Sequence, residues 1–146
     1  MKLECKSKKS ESSHFFNKKA QLDERKIKDM IERENIIDYI VEKYTIYPEF
    51  IFEKFPNYCV FRHKRKKKWF GLIMTIPRNK LYGDEEIKID VINLKINPEL
   101  NEIVRNKNGY YQAYHMNKEH WITIDLSAVE SLGQIAGLID DSFKLT

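Results

Sequence analysis

The chain has 146 residues, of which 42% are hydrophobic and 33% are charged, a size and composition that suit one domain with a buried core. Its longest apolar run extends only from Trp69 to Met74, which excludes a membrane-spanning helix because such a helix needs about 20 apolar residues. The amino terminus lacks the apolar stretch of a secretory signal, so we expect a soluble, cytoplasmic protein without a membrane partner. The two cysteines, Cys5 and Cys59, predict neither a disulfide framework nor a zinc site.

The charge of the chain is divided unevenly along its length. The formal net charge is +4, from 26 basic and 22 acidic residues. Residues 119–146 hold five acidic residues and one basic residue, a net charge of −4, which leaves +8 for residues 1–118. The positive charge is concentrated in an amino-terminal tail and in the run Arg62–Lys68. A local basic surface can therefore meet an anionic partner, although the total charge does not require one.

The first part of the chain predicts a tail followed by helix. Residues 1–19 are rich in Lys, Ser and Glu and lack an apolar period, which is typical of a flexible basic tail, and residues 20–146 are interpreted as one domain. From Gln21 to Tyr44 apolar residues recur every three or four positions, which predicts an amphipathic helix, or two helices that break near Asn35. A turn or short helix is expected between Pro48 and Pro56.

The middle of the chain predicts three strands. Tyr58–Arg62 and Trp69–Ile76 are β-rich runs on either side of the basic run, so they predict a hairpin with a Lys- and Arg-rich loop. Pro77 ends the second strand, and a polar loop follows. In the next run, Ile87–Ile96, apolar residues alternate in two opposite phases, which predicts a β-bulge near Val91 or a strand with both faces covered.

The last third of the chain returns to helix. Residues 97–99 supply the Asn cap, the proline and the acid of a helix start, and this helix is expected to end near Arg105. Residues 122–126 alternate as a strand, and Ser131 with Gln134 forms a capping box that opens an apolar last helix. The order of elements predicts an α+β fold, a two-layer sandwich in which helices cover an antiparallel sheet.

Three segments and the last helix together resemble one protein family. They are Phe61-Arg62-His63 with Lys67-Lys68-Trp69-Phe70; Val91-Ile92-Asn93-Leu94-Lys95 with Pro98-Glu99; Tyr114-His115-Met116-Asn117-Lys118-Glu119-His120-Trp121; and Leu138-Ile139-Asp140-Asp141-Ser142-Phe143. In this order they are similar to the MmcQ/YjbR family, with Phe143 where that family usually has tyrosine. The resemblance covers about Glu34 to the end of the chain. It implies a YjbR/CyaY-like α+β fold and a DNA-binding role, the function commonly attached to the family.

The first candidate site is the basic hairpin loop with the tryptophan at its edge. Its residues are Arg62, Lys64, Arg65, Lys66, Lys67, Lys68 and Trp69. Lys and Arg neutralise phosphates and release counterions, so six such contacts to duplex DNA would give a slope of log affinity against log salt of about −5. The alternative is a solvated loop that protects the sheet edge from aggregation.

The second candidate site is the densest cluster of polar and aromatic residues. Its residues are Tyr114, His115, Asn117, Lys118, His120 and Trp121, with Asn93 and Lys95 expected to face them from a neighbouring strand. The aromatic rings could stack on a nucleobase while Asn117 and Lys118 bind polar groups. Alternatively, a buried His115 or Asn117 would bind backbone carbonyls and fix a loop without any ligand. Asn93 and Lys95 could also pair with the acidic last helix.

Catalysis and metal binding are poorly motivated by the sequence. It contains no glycine-rich phosphate loop and no nucleophile elbow, and His120 has no evident partner as a general base. His115 and His120 lack a third metal ligand, and the acidic clusters at residues 84–86 and 140–141 are small enough to be solvated surface. We therefore expect no cofactor and no metal.

These observations predict non-catalytic binding of nucleic acid. The expected partner is DNA, with RNA as a second possibility, and the contact is expected mainly through the charges of the Arg62–Lys68 hairpin. The alternative is a peptide- or protein-binding adaptor with a chaperone-like α+β fold. In that case the sheet and the Tyr114–Trp121 segment would receive the partner.

Overall fold

The computed structural model describes residues 30–146, which form a five-stranded antiparallel sheet and three α-helices. The elements are α1 (Arg33–Tyr44), β1 (Cys59–Arg62), β2 (Trp69–Pro77), a 3₁₀ turn (Arg78–Lys80), β3 (Lys88–Lys95), α2 (Pro98–Val104), β4 (Tyr110–Gln112), β5 (Trp121–Asp125), a second 3₁₀ turn (Leu126–Ala128) and α3 (Leu132–Leu145). The strands lie in the order β1-β2-β3-β5-β4. The predicted α+β fold with an antiparallel sheet is confirmed. The tail predicted over residues 1–19 lies outside the described residues.

The first helix within the described residues, α1, begins close to the break that the apolar period allowed near Asn35. A capping box joins Glu32 and Asn35, in which the backbone amide of Glu32 donates to Oδ1 of Asn35 at 2.9 Å. The boundary predicted near Asn35 therefore lies at Glu32, and the helix predicted before residue 30 lies outside the described residues. At the other end Thr45 adopts a left-handed φ of 56° and its amide donates to the carbonyl of Val41, which ends the helix.

The predicted hairpin is formed by β1 and β2. The two strands are antiparallel, with Cys59 opposite Ile73 and Phe61 opposite Gly71. The register shifts between Phe61 and Arg62, where β1 meets the basic loop.

Strand β3 is covered on both faces, which was one of the two alternatives for its opposed apolar phases. Its pairing with β2 runs without a break from Gly71 opposite Leu94 to Pro77 opposite Lys88. Ile92 and Leu94 enter the larger core, whereas Val91 enters a smaller core on the opposite face. The pattern therefore reflects a strand at the centre of the molecule and not a bulge.

The two faces of the sheet are covered by different kinds of structure. The helices bring Ile36 and Ile40 of α1 and Ile135 and Ile139 of α3 into the larger core. On the opposite face the smaller core is closed by Trp69 at the start of β2 and by side chains from loops, among them Phe52, Leu81, Tyr114 and Met116. Trp69 and Tyr114, one from each candidate site, pack on this loop-covered face.

The caps predicted for the later helices are present. The side chain of Asn97 accepts from the amide of Glu99 at 2.9 Å, and the hydroxyl of Ser131 accepts from the amide of Gln134 at 3.3 Å. None of the helices in residues 30–146 combines the length and apolar character needed to cross a membrane.

Candidate functional site

The loop of the β1–β2 hairpin is closed by two backbone hydrogen bonds. The amide of His63 donates to the carbonyl of Lys68 at 2.9 Å, and the amide of Lys67 donates to the carbonyl of His63 at 3.0 Å. Lys67 adopts a left-handed φ of 62° to complete the turn. The side chains from residue 64 to residue 68 are exposed, so the turn presents a continuous basic surface to solvent.

Contacts with the end of α3 hold this loop in place. The buried ring of His63 lies 4.3 Å from the ring of Phe143 and 5.2 Å from that of Phe70, measured between centroids. Its Nε2 atom is 2.8 Å from Oγ1 of Thr146, and Nζ of Lys66 donates to the Thr146 carbonyl at 2.8 Å. Burial, and then the nearby charge of Lys66, lowers the pKa of His63 below its ordinary 6.5.

The six basic residues of the run have different surroundings. Arg62 donates from Nε and Nη2 to the carboxylate of Glu49, at 3.0 and 2.5 Å. The hydrogen bonds from Arg62 lower the pKa of Glu49, so this pair remains charged near neutral pH. Lys66 is occupied by the Thr146 carbonyl. The other four are Lys64, Arg65, Lys67 and Lys68, whose side chains make no hydrogen bond or ion pair with any described residue.

An aromatic cleft lies beside the basic loop and joins the two candidate sites. Its volume is about 280 Å³, and it is lined by Lys68, Trp69, Lys95, Met116 and Trp121 together with the end of α3. The Nζ atom of Lys95 lies 5.6 Å from the ring centroid of Trp121, within the range of a cation–π contact. The structure thus brings Lys68 and Trp69 of the first candidate site together with Lys95 and Trp121 of the second.

Asn93 belongs to a buried polar network. Its Nδ2 atom donates to the carbonyl of Tyr114 at 2.9 Å, and its Oδ1 atom accepts from the hydroxyl of Thr123 at 2.5 Å. The same hydroxyl oxygen accepts from the amide of Tyr114 at 2.8 Å. Because all these groups are engaged and Asn93 is fully buried, this residue fixes the loop after β4 and does not face a ligand.

Asn117 and Lys118 also shape this loop, although both are exposed. Oδ1 of Asn117 accepts from the amides of Glu119 and His120 at 2.9 and 3.0 Å, which forms a local turn. Nζ of Lys118 donates to the carbonyl of Ala113 at 2.7 Å and so ties one side of the loop to the other.

The two histidines of the loop point to no common site. His115 is exposed, has a left-handed φ of 70°, and lies 3.9 Å from the ring of Tyr114, measured between centroids. Nε2 of His120 lies 3.4 Å from Oε1 of Glu119. Within residues 30–146 no three His, Cys, Asp or Glu side chains are grouped so that they could hold a metal ion.

Asn101 on α2 also binds backbone carbonyls of this segment, at its far end, a role that the sequence did not predict. Its two Nδ2 N–H groups are shared among the carbonyls of Lys118, Glu119 and Trp121, which lie 3.1, 3.0 and 3.1 Å from Nδ2. Asn101 is 1% exposed and lies three residues before Val104 on the buried side of α2. The three-residue spacing of Asn101 and Val104 places both on one face of α2, and this spacing was the only local sign that Asn101 would be buried.

The acidic last helix pairs with α1. The carboxylate of Asp140 accepts from Nζ of Lys43 at 2.7 Å and from the hydroxyls of Tyr44 at 2.6 Å and Tyr39 at 2.8 Å. Burial alone would raise the pKa of Asp140, but these three hydrogen bonds lower it below its ordinary 3.8. This acid therefore joins two helices on the face away from the candidate site.

Lys95 contacts the last helix through its backbone. Its amide donates to Oγ of Ser142 at 2.9 Å, and that hydroxyl donates to the carbonyl of Phe70 at 2.6 Å. The ammonium group remains in the aromatic cleft, against Trp121. The possibility of a side-chain ion pair between Lys95 and α3 is therefore not realised among the described residues.

The comparison with known families decides the identity of this fold. The YjbR family model matches residues 41–145 of the chain. The chain belongs to the YjbR family. This YjbR protein is 44% identical over 117 residues to YyaQ, an uncharacterized protein of Bacillus subtilis strain 168, in an alignment that covers 80% of this chain and 99% of YyaQ.

Solved structures have the same fold. A Pseudomonas syringae protein of known crystal structure is 47% identical to this YjbR chain and superposes with a TM-score of 0.77. The alignment covers 80% of this chain and 99% of the Pseudomonas protein. The crystal structure of Deinococcus radiodurans protein DR2400, described with the domain DUF419, shares the fold at 21% identity with a TM-score of 0.61, covering 80% of this chain and 79% of that protein. The expected family and its α+β fold are confirmed.

Proposed function

We propose that this YjbR protein binds nucleic acid, DNA first and RNA second, through the loop of the β1–β2 hairpin and without catalysis. The observation that carries the proposal is the set of four exposed cations, Lys64, Arg65, Lys67 and Lys68, whose side chains have no hydrogen-bond or ion-pair partner among the described residues. Phosphates can take the place of the counterions around such side chains, and the release of those counterions favours binding.

The attachment of the loop to α3 supports binding by this surface. His63 and Lys66 both contact Thr146, so the base of the loop is fixed before a ligand arrives. A surface ordered in advance loses less conformational entropy on binding than a mobile loop would. Recognition is expected to be electrostatic, with little reading of base sequence.

The aromatic cleft gives this surface an apolar margin. Trp69 is half-buried beside Lys68, and its ring meets that of Phe52 edge to face, with centroids 6.0 Å apart. A strand held on the basic loop can place a sugar or an unstacked base against Trp69. This contact would favour single strands over duplexes of equal charge.

Fluorescence anisotropy tests the proposal with labelled duplex DNA, single-stranded DNA and RNA. The test variant replaces the four cations by glutamine (K64Q/R65Q/K67Q/K68Q), and the control replaces four exposed lysines elsewhere (K54Q/K88Q/K107Q/K144Q). Both variants lose the same charge. We expect the hairpin variant to weaken binding by about 100-fold and the control by about threefold. Absence of wild-type binding at low salt, or equal losses in the two variants, would overturn the proposal.

A protein-binding adaptor is the second candidate function. It is favoured by the segment before β1, where Tyr47, Ile51 and Phe55 expose 64, 51 and 48% of their surface. In a pull-down from cell extract, a protein bound at this segment should be recovered with the wild type and with the hairpin variant. It should be lost with I51D/F55D. Recovery that does not depend on Ile51 and Phe55 would reject this candidate.

A further inference from the structure

A second cavity lies apart from the hairpin and the aromatic cleft. It has a volume of about 430 Å³ and opens between the 3₁₀ turn after β2, the end of α2, β4 and the loop that follows β4. This volume is within the range of small-ligand sites. None of the residues that line it also lines the aromatic cleft. Any ligand of this cavity can therefore be tested separately from nucleic-acid binding by the hairpin.

Three cations converge on this cavity from three different elements. Lys80 comes from the 3₁₀ turn, Arg105 from the end of α2 and Lys118 from the loop after β4, and no carboxylate lines the cavity. None of the three forms an ion pair with a described acid. An anion that enters this space is attracted by all three cations.

The local contacts orient one of these cations and leave the other two available. Nζ of Lys118 donates to the carbonyl of Ala113 at 2.7 Å, which fixes its position and leaves two of its three N–H groups for a ligand. The side chains of Lys80 and Arg105 make no hydrogen bond with a described residue. A guanidinium beside two ammonium groups suits a phosphate, which can accept from all three.

Aromatic side chains form the other part of the wall. Tyr111 is stacked on Tyr82 with centroids 5.1 Å apart and an interplanar angle of 12°. Tyr114 is held by the buried network, since its amide donates to Thr123 and its carbonyl accepts from Asn93. Tyr111 and Tyr114 both line the cavity, and their aromatic rings offer apolar contact to a planar group.

We propose that this cavity binds a small phosphate ester that carries a planar ring, of which a nucleoside monophosphate is the simplest biological class. Its phosphate lies among Lys80, Arg105 and Lys118, and its ring lies against Tyr111 and Tyr114. This assignment uses none of the hairpin residues and stands whether or not the hairpin binds nucleic acid.

NMR titration of the full chain with AMP tests this site. We expect saturable shifts in the amides of residues 105–106 and 111–118, and an affinity for AMP about tenfold higher than for adenosine or inorganic phosphate alone. The variant K80Q/R105Q should bind AMP at least about tenfold more weakly than the wild type. The variant K54Q/K144Q loses the same charge elsewhere and should keep the wild-type affinity for AMP.

Two further variants separate the parts of the site. Tyr111→Leu should lower the affinity for AMP and leave the affinity for inorganic phosphate unchanged. The hairpin variant K64Q/R65Q/K67Q/K68Q should bind AMP as tightly as the wild type does. Shifts that fail to saturate at about 10 mM AMP, or equal losses in K80Q/R105Q and K54Q/K144Q, would overturn the proposal. So would displacement of AMP by an oligonucleotide, because the cavity would then belong to a strand-binding surface.

Discussion

The Nε2 atom of His63, at the start of the basic loop, lies 2.8 Å from Oγ1 of Thr146, which follows α3. The two residues are 83 positions apart in sequence. The Thr146 hydroxyl also donates to the carbonyl of Ser142 at 2.8 Å, so it connects the loop to the last turn of the helix. The orientation of the proposed nucleic-acid surface therefore depends on packing at the end of α3.

This contact predicts a pH dependence of stability. Burial, and then the charge of Lys66, lowers the pKa of His63 in the folded chain below the ordinary 6.5. Between the folded pKa and 6.5 the unfolded chain binds more protons than the folded chain, so His63 lowers stability as the pH falls through that window. Above about pH 7 this effect is absent. Urea unfolding should show that the free energy of unfolding falls less between pH 7.5 and pH 5 for His63→Leu than for the wild type. Parallel pH profiles of the two proteins would contradict this effect of His63.

The interactions of Asn101 predict a large effect of its removal. Asn101→Ala deletes the donor to two carbonyls at the end of the loop after β4 and to the Trp121 carbonyl, where the lost bond is buried. We expect a loss of about 2–4 kcal/mol in the free energy of unfolding, measured with urea. Asn106→Ala, which removes one exposed bond to the Glu102 carbonyl, should lose less than about 0.5 kcal/mol. Similar losses for the two variants would contradict the role given to Asn101.

The link between α1 and α3 predicts a shift in a tyrosine titration. Burial, and then the hydrogen bond to Asp140, raises the pKa of Tyr44 to about 12. In Asp140→Asn the pKa should fall but stay above 10 because the burial remains, as followed by ultraviolet absorbance of the phenolate. Asp141→Asn, a neighbouring exposed acid, is the control. An unchanged titration in Asp140→Asn would show that the carboxylate does not act on Tyr44.

The pair of Arg62 and Glu49 predicts a variant that binds nucleic acid more tightly. Glu49→Gln releases the guanidinium from its two hydrogen bonds with the carboxylate, so Arg62 can contact a phosphate. The slope of log affinity against log salt should become steeper by about 0.9, the contribution of one phosphate contact on duplex DNA. Glu53→Gln removes the same charge from the same segment without freeing Arg62 and should leave the slope unchanged. Equal slopes for the two variants would exclude a latent contact by Arg62.

The parts of the fold that could be predicted are those with local signals. A β-rich run marked β2, period-two alternation marked β5, and the Asn97 cap and the Ser131 box marked the starts of α2 and α3. The opposed phases of β3 left a bulge and burial on both faces as alternatives, and the structure has the second. The start of α1 was less accessible, because an apolar period alone does not show that Glu32 and Asn35 cap each other.

The arrangement of the site required contacts that local patterns do not contain. Glu49 reaches Arg62 because a bridge pairs Glu49 with Val60, and nothing in the basic run reveals that partner. Similarly, Lys95 meets Trp121 because the two lie opposite each other in the pairing of β3 with β5. The sequence identified the chemistry of the basic loop, and the pairing of strands decides which charges remain available.

The salt dependence of duplex DNA binding tests the central claim most directly. With Arg62 held by Glu49 and Lys66 held by Thr146, four cations remain, and the slope of log affinity against log salt should be about −3.6. The affinity should then fall by about 150-fold between 50 and 200 mM salt, and the slope should approach zero in K64Q/R65Q/K67Q/K68Q. A slope that the four substitutions leave unchanged, or no binding by the wild type at the lowest salt, would contradict binding through this hairpin.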